Sequence, residues 1–198
     1  MINTIEIIVL AGGCSRRSGK VNKLIQPLKG GLLIEHTLAT ISKVEGVSKS
    51  IVLGYEYDML YPIISKFDVK VIRNTDYIKG IGRSIAKGVK SLDNTIKSVI
   101  IALADMPFIS VDDYNLIITS SQESKKDTII IPTYRKKRGH PRLFKQYYFT
   151  KLRNLRGDQG AKEIITLHEK SVIEVSSKNK YILKDFDRGT KYYNKINK

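Results

Sequence analysis

"IEIIVLAGGCSRRSGKVNK", residues Ile5 to Lys23, is the stretch whose reading decides the fold. A β-branched, almost continuously apolar run ends in the pair Gly12-Gly13, and a basic polar loop follows. A run of that kind reads as a strand buried on both faces, the habit of parallel sheets. More such runs follow: "SIVLGY" from Ser50, "VKVIRN" from Val69, "SVIIAL" from Ser98 and "TIIIP" from Thr128. Between them, amphipathic patterns over Leu32 to Lys43, Met59 to Lys66, Arg83 to Leu92 and Val111 to Ser121 predict helices. The alternation predicts an α/β fold, a three-layer α/β/α, Rossmann-like arrangement around a mostly parallel sheet.

Pro62 lacks an amide donor and weakens the second helix unless it occupies the first turn. Ser110, three residues before Asp113, marks the start of the fourth helix as a capping box, with Asp a weaker partner than Glu. Past Pro132 the alternation breaks. "TYRKKRGHPRLF" reads as a basic excursion ending in a short strand. Helical patterns over Lys145 to Leu155 and Gly160 to Glu169 come next, then short strand candidates near Val172 and Leu183. The terminal "GTKYYNKINK" reads as a polar helix or a frayed tail.

At 198 residues, 41% of them hydrophobic, the sequence suits one domain with a sizeable core. No apolar stretch approaches the roughly 18 residues of a membrane helix, and no basic segment with an apolar signal core opens the chain. A cytoplasmic location without membrane attachment is the expectation. The lone Cys14 excludes an intrachain disulfide and any CxxC metal site. With 35 Lys and Arg against 19 Asp and Glu, a net charge of +16, the molecule attracts anions: nucleotides, phosphorylated small molecules or nucleic acid.

The loop after the first strand lies where open α/β sheets bind phosphates. It is not a Walker A loop, whose hydroxyl after Gly-Lys meets magnesium. Gly13 stands one residue too early relative to Gly19-Lys20, and Val21 replaces the hydroxyl residue. The GxGxxG spacing of a dinucleotide fold is absent too, which leaves hydride transfer without support. What the loop offers is a glycine turn open to close approach, followed by Ser15, Arg17 and Lys23 as donors. The forked guanidinium of Arg17 and the point charge of Lys23 suit a polyphosphate; a solvated basic turn has the same composition.

Asp105 in "SVIIALADMP" follows the end of a very apolar strand, at the same sheet edge as the glycine loop, where a magnesium must sit to touch phosphates. The competing role, a turn or capping aspartate, is better filled by Ser110. Gly80, Gly82 and Ser84 open a predicted helix and allow close backbone approach, as a plain helix start also does. His36, His140 and His168 share no metal-ligand spacing, which argues against zinc. Asp158 reads as a cap for the helix near Gly160, and Cys14, beside Arg16 and Arg17, as a loop residue.

Leu10-Ala11-Gly12-Gly13, Ser15, Arg17, Gly19 and Lys23 resemble the LAGGxSxRxGxxxK signature of nucleotidyltransferases related to the molybdenum cofactor enzymes, the MobA-like and MocA-like proteins. The likeness continues through "NTDYIKGIGRS" (Asn74 to Ser84), "LADMP" (Leu103 to Pro107), "RGHPRLF" (Arg138 to Phe144) and "GDQGAKEII" (Gly157 to Ile165). It implies a nucleotidyltransferase fold with a nucleotide-binding part over about residues 1–110 and an acceptor-binding part after it.

The resemblance assigns the nucleotide to Leu10, Ala11, Gly12, Gly13, Ser15, Asn74, Gly80 and Ser84, and catalysis to Arg17, Lys23 and Asp105. It assigns an anionic pterin phosphate acceptor to Arg138, Gly139, His140 and Pro141, with Arg135, Lys136 and Lys137 guiding it. Mg²⁺ is implied on Asp105 and on a C-terminal carboxylate. In "DFDRGTKYY" Asp185 and Asp187 fit the family's DIDTPED while Arg188 to Lys191 depart from it; the resemblance implies Asp187 as the ligand with Asp185 as its neighbour, and the departure leaves the division between the two open.

The implied reaction transfers CMP from CTP to molybdopterin or its molybdenum form and releases pyrophosphate; a molybdoenzyme is the implied client for the cytidylylated product. Guanylyl relatives tend to carry LAGG and cytidylyl relatives LAAG, so Gly12 favours GTP, while "YIKGIGRS", "LADMP", "RGHPRLF" and "GDQGA" favour CTP. A sugar-phosphate nucleotidyltransferase is a further alternative, and a non-catalytic polyanion-binding or cofactor-chaperone module a different class. Arg17, Lys23 and Asp105 together argue against that class and against nucleic acid as the partner.

Overall fold

A computed structural model describes residues 4–13 and 22–186. Its strands are β1 (Ile5–Ala11), β2 (Pro27–Leu28), β3 (Gly31–Leu32), β4 (Ser48–Leu53), β5 (Lys70–Arg73), β6 (Ser98–Leu103), β7 (Ile129–Tyr134), β8 (Lys137–Arg138), β9 (Arg142–Lys145) and β10 (Val172–Ser176). The helices are α1 (Leu33–Ser42), α2 (Tyr57–Ile64), α3 (Ile81–Lys90), α4 (Val111–Gln122), α5 (Phe149–Arg153) and α6 (Lys162–Leu167). The main sheet runs β10-β7-β9-β6-β1-β4-β5, with β8 paired to β7, and β2-β3 form a separate hairpin. β1 is parallel to β4 and β6, β4 to β5, and β10 to β7, whereas β9 is antiparallel to both β6 and β7.

Alternation along the strands sorts the core. Ile7 and Val9 join α1, α2 and α4 on one face through Leu38, Leu60 and Ile117. Ile8 joins α3, α5 and α6 on the other through Ile85, Leu152 and Ile164. Each such buried aliphatic side chain contributes about 1.5–3 kcal/mol, and both faces of β1 are apolar save for the buried Glu6, whose carboxylate accepts from Ser50 Oγ at 2.6 Å. The three-layer, mostly parallel expectation is therefore met. Among the described residues no helix is long and apolar enough to cross a membrane.

Several local expectations are corrected. The second helix begins two residues earlier than expected and carries Pro62 in its interior, ending at Ile64. Leu60 and Ile64, one turn apart, are buried against the sheet, and that packing outweighs the lost hydrogen bond. Lys145 belongs to β9, and the helix expected there divides into a 3₁₀ turn, Gln146–Tyr148, and the short α5. The strand expected near Leu183 is a 3₁₀ turn, Lys180–Leu183, because the Asn179 side chain accepts the Tyr181 amide at 3.0 Å and bends the chain. The capping box is present: the Asp113 amide donates to Ser110 Oγ at 3.3 Å, and the Ser110 amide to Asp113 Oδ2 at 2.9 Å.

Candidate active site

The parallel strands end along one edge, and the strand-end loops meet there. The Leu10 carbonyl accepts the Ala104 amide at 3.1 Å, so the chain leaving β1 and the chain leaving β6 run side by side. Leu10 and Ala11 bury their side chains in the core, which leaves only their backbone for a ligand. Gly12 is buried beside the next strand. A Cβ on it would stand 3.0 Å from Ser84 Oγ and 3.5 Å from the Gly54 amide, whereas a Cβ on Gly13 would meet none of the described residues within 4 Å.

A polar wall continues from Gly12. Asn74 Nδ2 donates to Ser84 Oγ at 3.1 Å, and the Asn74 amide to the Leu53 carbonyl at 2.7 Å, so Asn74 ties the end of β4 to the start of α3. Tyr77 packs against Gly54, where any side chain would collide with its Cβ and Cγ. Gly54 and Tyr77 were not singled out in the sequence; the only signal was a glycine directly after a buried strand.

Gly80 and Gly82 are packed within the protein. Gly80 adopts φ +99°, and a Cβ there would lie 2.5 Å from Asp158 Oδ1 and closer still to the Gly157 backbone. The Gly82 amide donates to the Gly157 carbonyl at 2.9 Å. These glycines seat the 156–160 turn on the start of α3. Asp158 accordingly packs at Gly80 and does not cap α6, which has no side-chain cap.

On the opposite side of β1, Lys23 Nζ donates to Asp105 Oδ2 at 2.5 Å. The Thr37 hydroxyl on α1 donates to the Ala104 carbonyl at 2.9 Å and anchors the loop that carries Asp105. The Phe186 amide donates to the Asp105 carbonyl at 2.7 Å, which brings the segment carrying the exposed Asp185 alongside. Asp113 organises that approach. It is buried and accepts from Ser177 Oγ at 2.6 Å and Asn179 Nδ2 at 2.7 Å, in addition to its box with Ser110. Ser15, Arg17, Cys14 and Asp187 lie outside the described residues.

Among the described residues no group of three or more His, Cys, Asp or Glu converges as a metal site. One carboxylate at a strand end, with a second segment held beside it, suits a hard cation such as Mg²⁺, which commonly takes one or two carboxylates and completes its shell with water and substrate phosphates. It does not suit an all-protein cage.

The expected acceptor segment is largely engaged within the protein. Arg138 Nη1 donates to Glu169 Oε2 at 2.9 Å, Nη2 to Glu169 Oε1, and Nε to Glu174 Oε1 at 2.7 Å, and these carboxylates raise its pKa. Gly139 lies under the Ile182 carbonyl, which a Cβ would strike. The peptide between His140 and Pro141 is cis, and the His140 amide donates to that same Ile182 carbonyl at 2.9 Å. Burial, with the nearby charge of Arg142, pushes the His140 imidazole down to about 3. It is neutral at physiological pH, and its Nδ1 is sealed without a partner among the described residues. Arg135 and Lys136 form the β7–β8 turn, both at positive φ and exposed.

The purine catabolism protein PucB of Bacillus subtilis is 29% identical over 171 residues, covering 80% of this chain and 78% of that protein. By contrast, the chain spans 27% of the bifunctional protein GlmU of Clavibacter sepedonicus, to which it is 23% identical over 132 residues. Among solved structures, Rv0371c of Mycobacterium tuberculosis superposes with a TM-score of 0.87 at 20% identity, covering 100% of both chains. A manganese complex of Rv0371c gives a TM-score of 0.82 at 19% identity, over 98% of each chain. A nucleotidyl transferase from Methanothermobacter gives 0.81 at 19% identity, over 98% of this chain and 97% of that one. Residues 7–172 match the MobA-like NTP transferase domain, the span that carries both the glycine turn and the Lys23–Asp105 pair, and the chain belongs to that family of nucleotidyltransferases.

Proposed function

We propose that this enzyme transfers CMP from CTP to the phosphate of molybdopterin or its molybdenum form, releasing pyrophosphate. The observation that carries the reading is the convergence of the open Gly13 turn, the Asn74–Ser84 wall and the Lys23–Asp105 pair on one sheet edge. That edge offers amides and hydroxyls to a nucleoside on one side of β1 and paired charges to a triphosphate on the other.

Lys23, with Arg17 from the preceding loop, would grip the triphosphate and stabilise the charge that builds on the departing pyrophosphate. Asp105, with Asp187, would hold a divalent cation, whose chemistry when bound is to neutralise phosphate charge and align the attacking oxygen. The manganese bound by Rv0371c supports a divalent ion in this fold. No side chain need act as general base, because a phosphate monoester with a second pKa of about 6 is already a dianion near neutral pH. Positioning and electrostatics carry the rate.

Gly12 carries little weight for guanine. Ser84 Oγ stands 3.0 Å from where its Cβ would lie, so packing alone favours glycine there. The segments that resemble cytidylyl enzymes therefore set the choice of base. A thermal-shift panel with CTP, GTP, ATP and UTP, each with and without Mg²⁺, tests this. A ligand at about 100 times its dissociation constant stabilises by roughly 2.7 kcal/mol, a shift of several degrees. The expected result is a Mg²⁺-dependent shift selective for CTP, followed by turnover with molybdopterin; selectivity for GTP overturns the base, and no turnover overturns the acceptor.

A further inference from the structure

Two arginines four residues apart, Arg138 and Arg142, are treated in opposite ways by the fold. Arg138 has both Nη groups on Glu169 and its Nε on Glu174. Arg142 is half-buried, and its Nε donates to the Gly139 carbonyl at 3.1 Å, yet no carboxylate pairs with its guanidinium among the described residues. Burial lowers its pKa, and the like charge of Arg138 lowers it further. The neighbouring imidazole of His140 is neutral and supplies no counter-charge. Taking a guanidinium partly out of water without an anion is unfavourable, and such a group is held in readiness for one.

Its place in the sheet says where that anion would lie. Arg142 opens β9, the antiparallel strand, and pairs in register with Ile101 on β6. Asp105 follows Ile101 by four residues, the last two in the turn after β6, so it lies at most about 13 Å further along the chain. The Nε–Gly139 bond fixes the guanidinium plane and leaves the two Nη groups as a fork, the arrangement that binds two oxygens of a phosphate.

We propose that Arg142 is the receptor for the phosphate monoester of the acceptor, and that it, not the neutralised Arg138, sets the requirement for a phosphorylated acceptor. The inference rests on the nucleotidyltransferase reading above, in which the acceptor attacks through its phosphate. It assigns the nucleotide's own phosphates to the Lys23 side of the edge.

The test uses phenyl phosphate and inorganic phosphate as probes in equilibrium titrations of the full chain, wild type, Arg142→Gln and Arg142→Lys, with Mg²⁺-CTP titrated in parallel. The expected result is at least a tenfold loss of phenyl phosphate affinity in Arg142→Gln and partial recovery in Arg142→Lys. Affinity for Mg²⁺-CTP and the thermal midpoint should hold in both variants. Equal phenyl phosphate binding by wild type and Arg142→Gln, or none by wild type, overturns the proposal. Loss of Mg²⁺-CTP affinity in step with phenyl phosphate also overturns it, because Arg142 would then serve the triphosphate. A wild type that binds phenyl phosphate through Arg142 but ignores Mg²⁺-CTP sustains the anion receptor while removing the cytidylyl reading, so the two fail separately.

Discussion

Lys23 Nζ and Asp105 Oδ2 lie 2.5 Å apart although 82 residues separate them, with side chains 17% and 19% exposed. The contact joins the chain entering from the first loop to the end of β6, and in the function proposed above this cation and carboxylate serve a metal-bound triphosphate. Asp105→Asn should leave the fold intact and abolish divalent-cation-dependent transfer, a fall of at least about 10³-fold, the scale of losing a key electrostatic contact. Lys23→Ala should weaken nucleotide binding and slow transfer. Steady-state rates across a Mg²⁺ titration decide both: retained turnover removes Asp105 as a metal ligand, and an unchanged rate removes Lys23 from the transition state.

The glycines separate into packing and access. Gly80→Ala places a Cβ at φ +99° against Gly157 and should cost at least about 2 kcal/mol, lowering the thermal midpoint by roughly 4–8 °C. Gly13→Ala, whose Cβ would meet none of the described residues, should keep the midpoint and lose nucleotide affinity. Calorimetry with a nucleotide titration checks the pair; equal midpoints for Gly80→Ala and wild type would show that the 156–160 turn does not need its seat.

Asp113 accepts bonds from Ser110, Ser177 and Asn179 and so ties α4 to the segment that reaches Asp105 through the Phe186 amide. Asp113→Ala strands several buried donors and should cost about 2–4 kcal/mol, more than the roughly 1 kcal/mol expected for Ser110→Ala. Chemical denaturation of both variants gives the comparison, and equal losses would reduce Asp113 to a helix cap.

His140 makes the fold acid-sensitive. Its pKa is about 3 in the folded protein and 6.5 ordinarily, so between those values the unfolded chain holds a proton that the folded chain lacks. Stability therefore rises with pH across that window and is lost on acidification, by at most about 1.4 kcal/mol per pH unit. Thermal midpoints from pH 7 to pH 5 should fall less steeply in His140→Asn than in wild type. Parallel slopes would contradict the buried neutral imidazole.

Local chemistry explains which elements were legible. β6 was read to the residue because a run buried on both faces has no polar position at which to end early. α4 was read to within a residue at each end because Ser110 and Asp113 form a box within one turn. α2 and the turn at Lys180–Leu183 were not, because tertiary burial overrode Pro62 in one and the Asn179 side chain bent the chain in the other. Asp105 and Lys23 were legible as a motif. Arg142 was not, since nothing in the sequence around it tells an arginine without a carboxylate partner from one, like Arg138, that has two.

The sequence by itself determined the alternating strands and helices, the edge at which the first loop would lie and the family's glycine and charge spacing, all of which depend on periodicity and neighbours in the chain. Only the tertiary structure decided which glycines are packed, that Asp158 seats against Gly80, and that Glu169 and Glu174 neutralise Arg138 while Arg142 has no such partner among the described residues. The reason is physical: counter-charges and steric contacts come from residues tens of positions away, and their effect depends on distances and burial that no local pattern encodes.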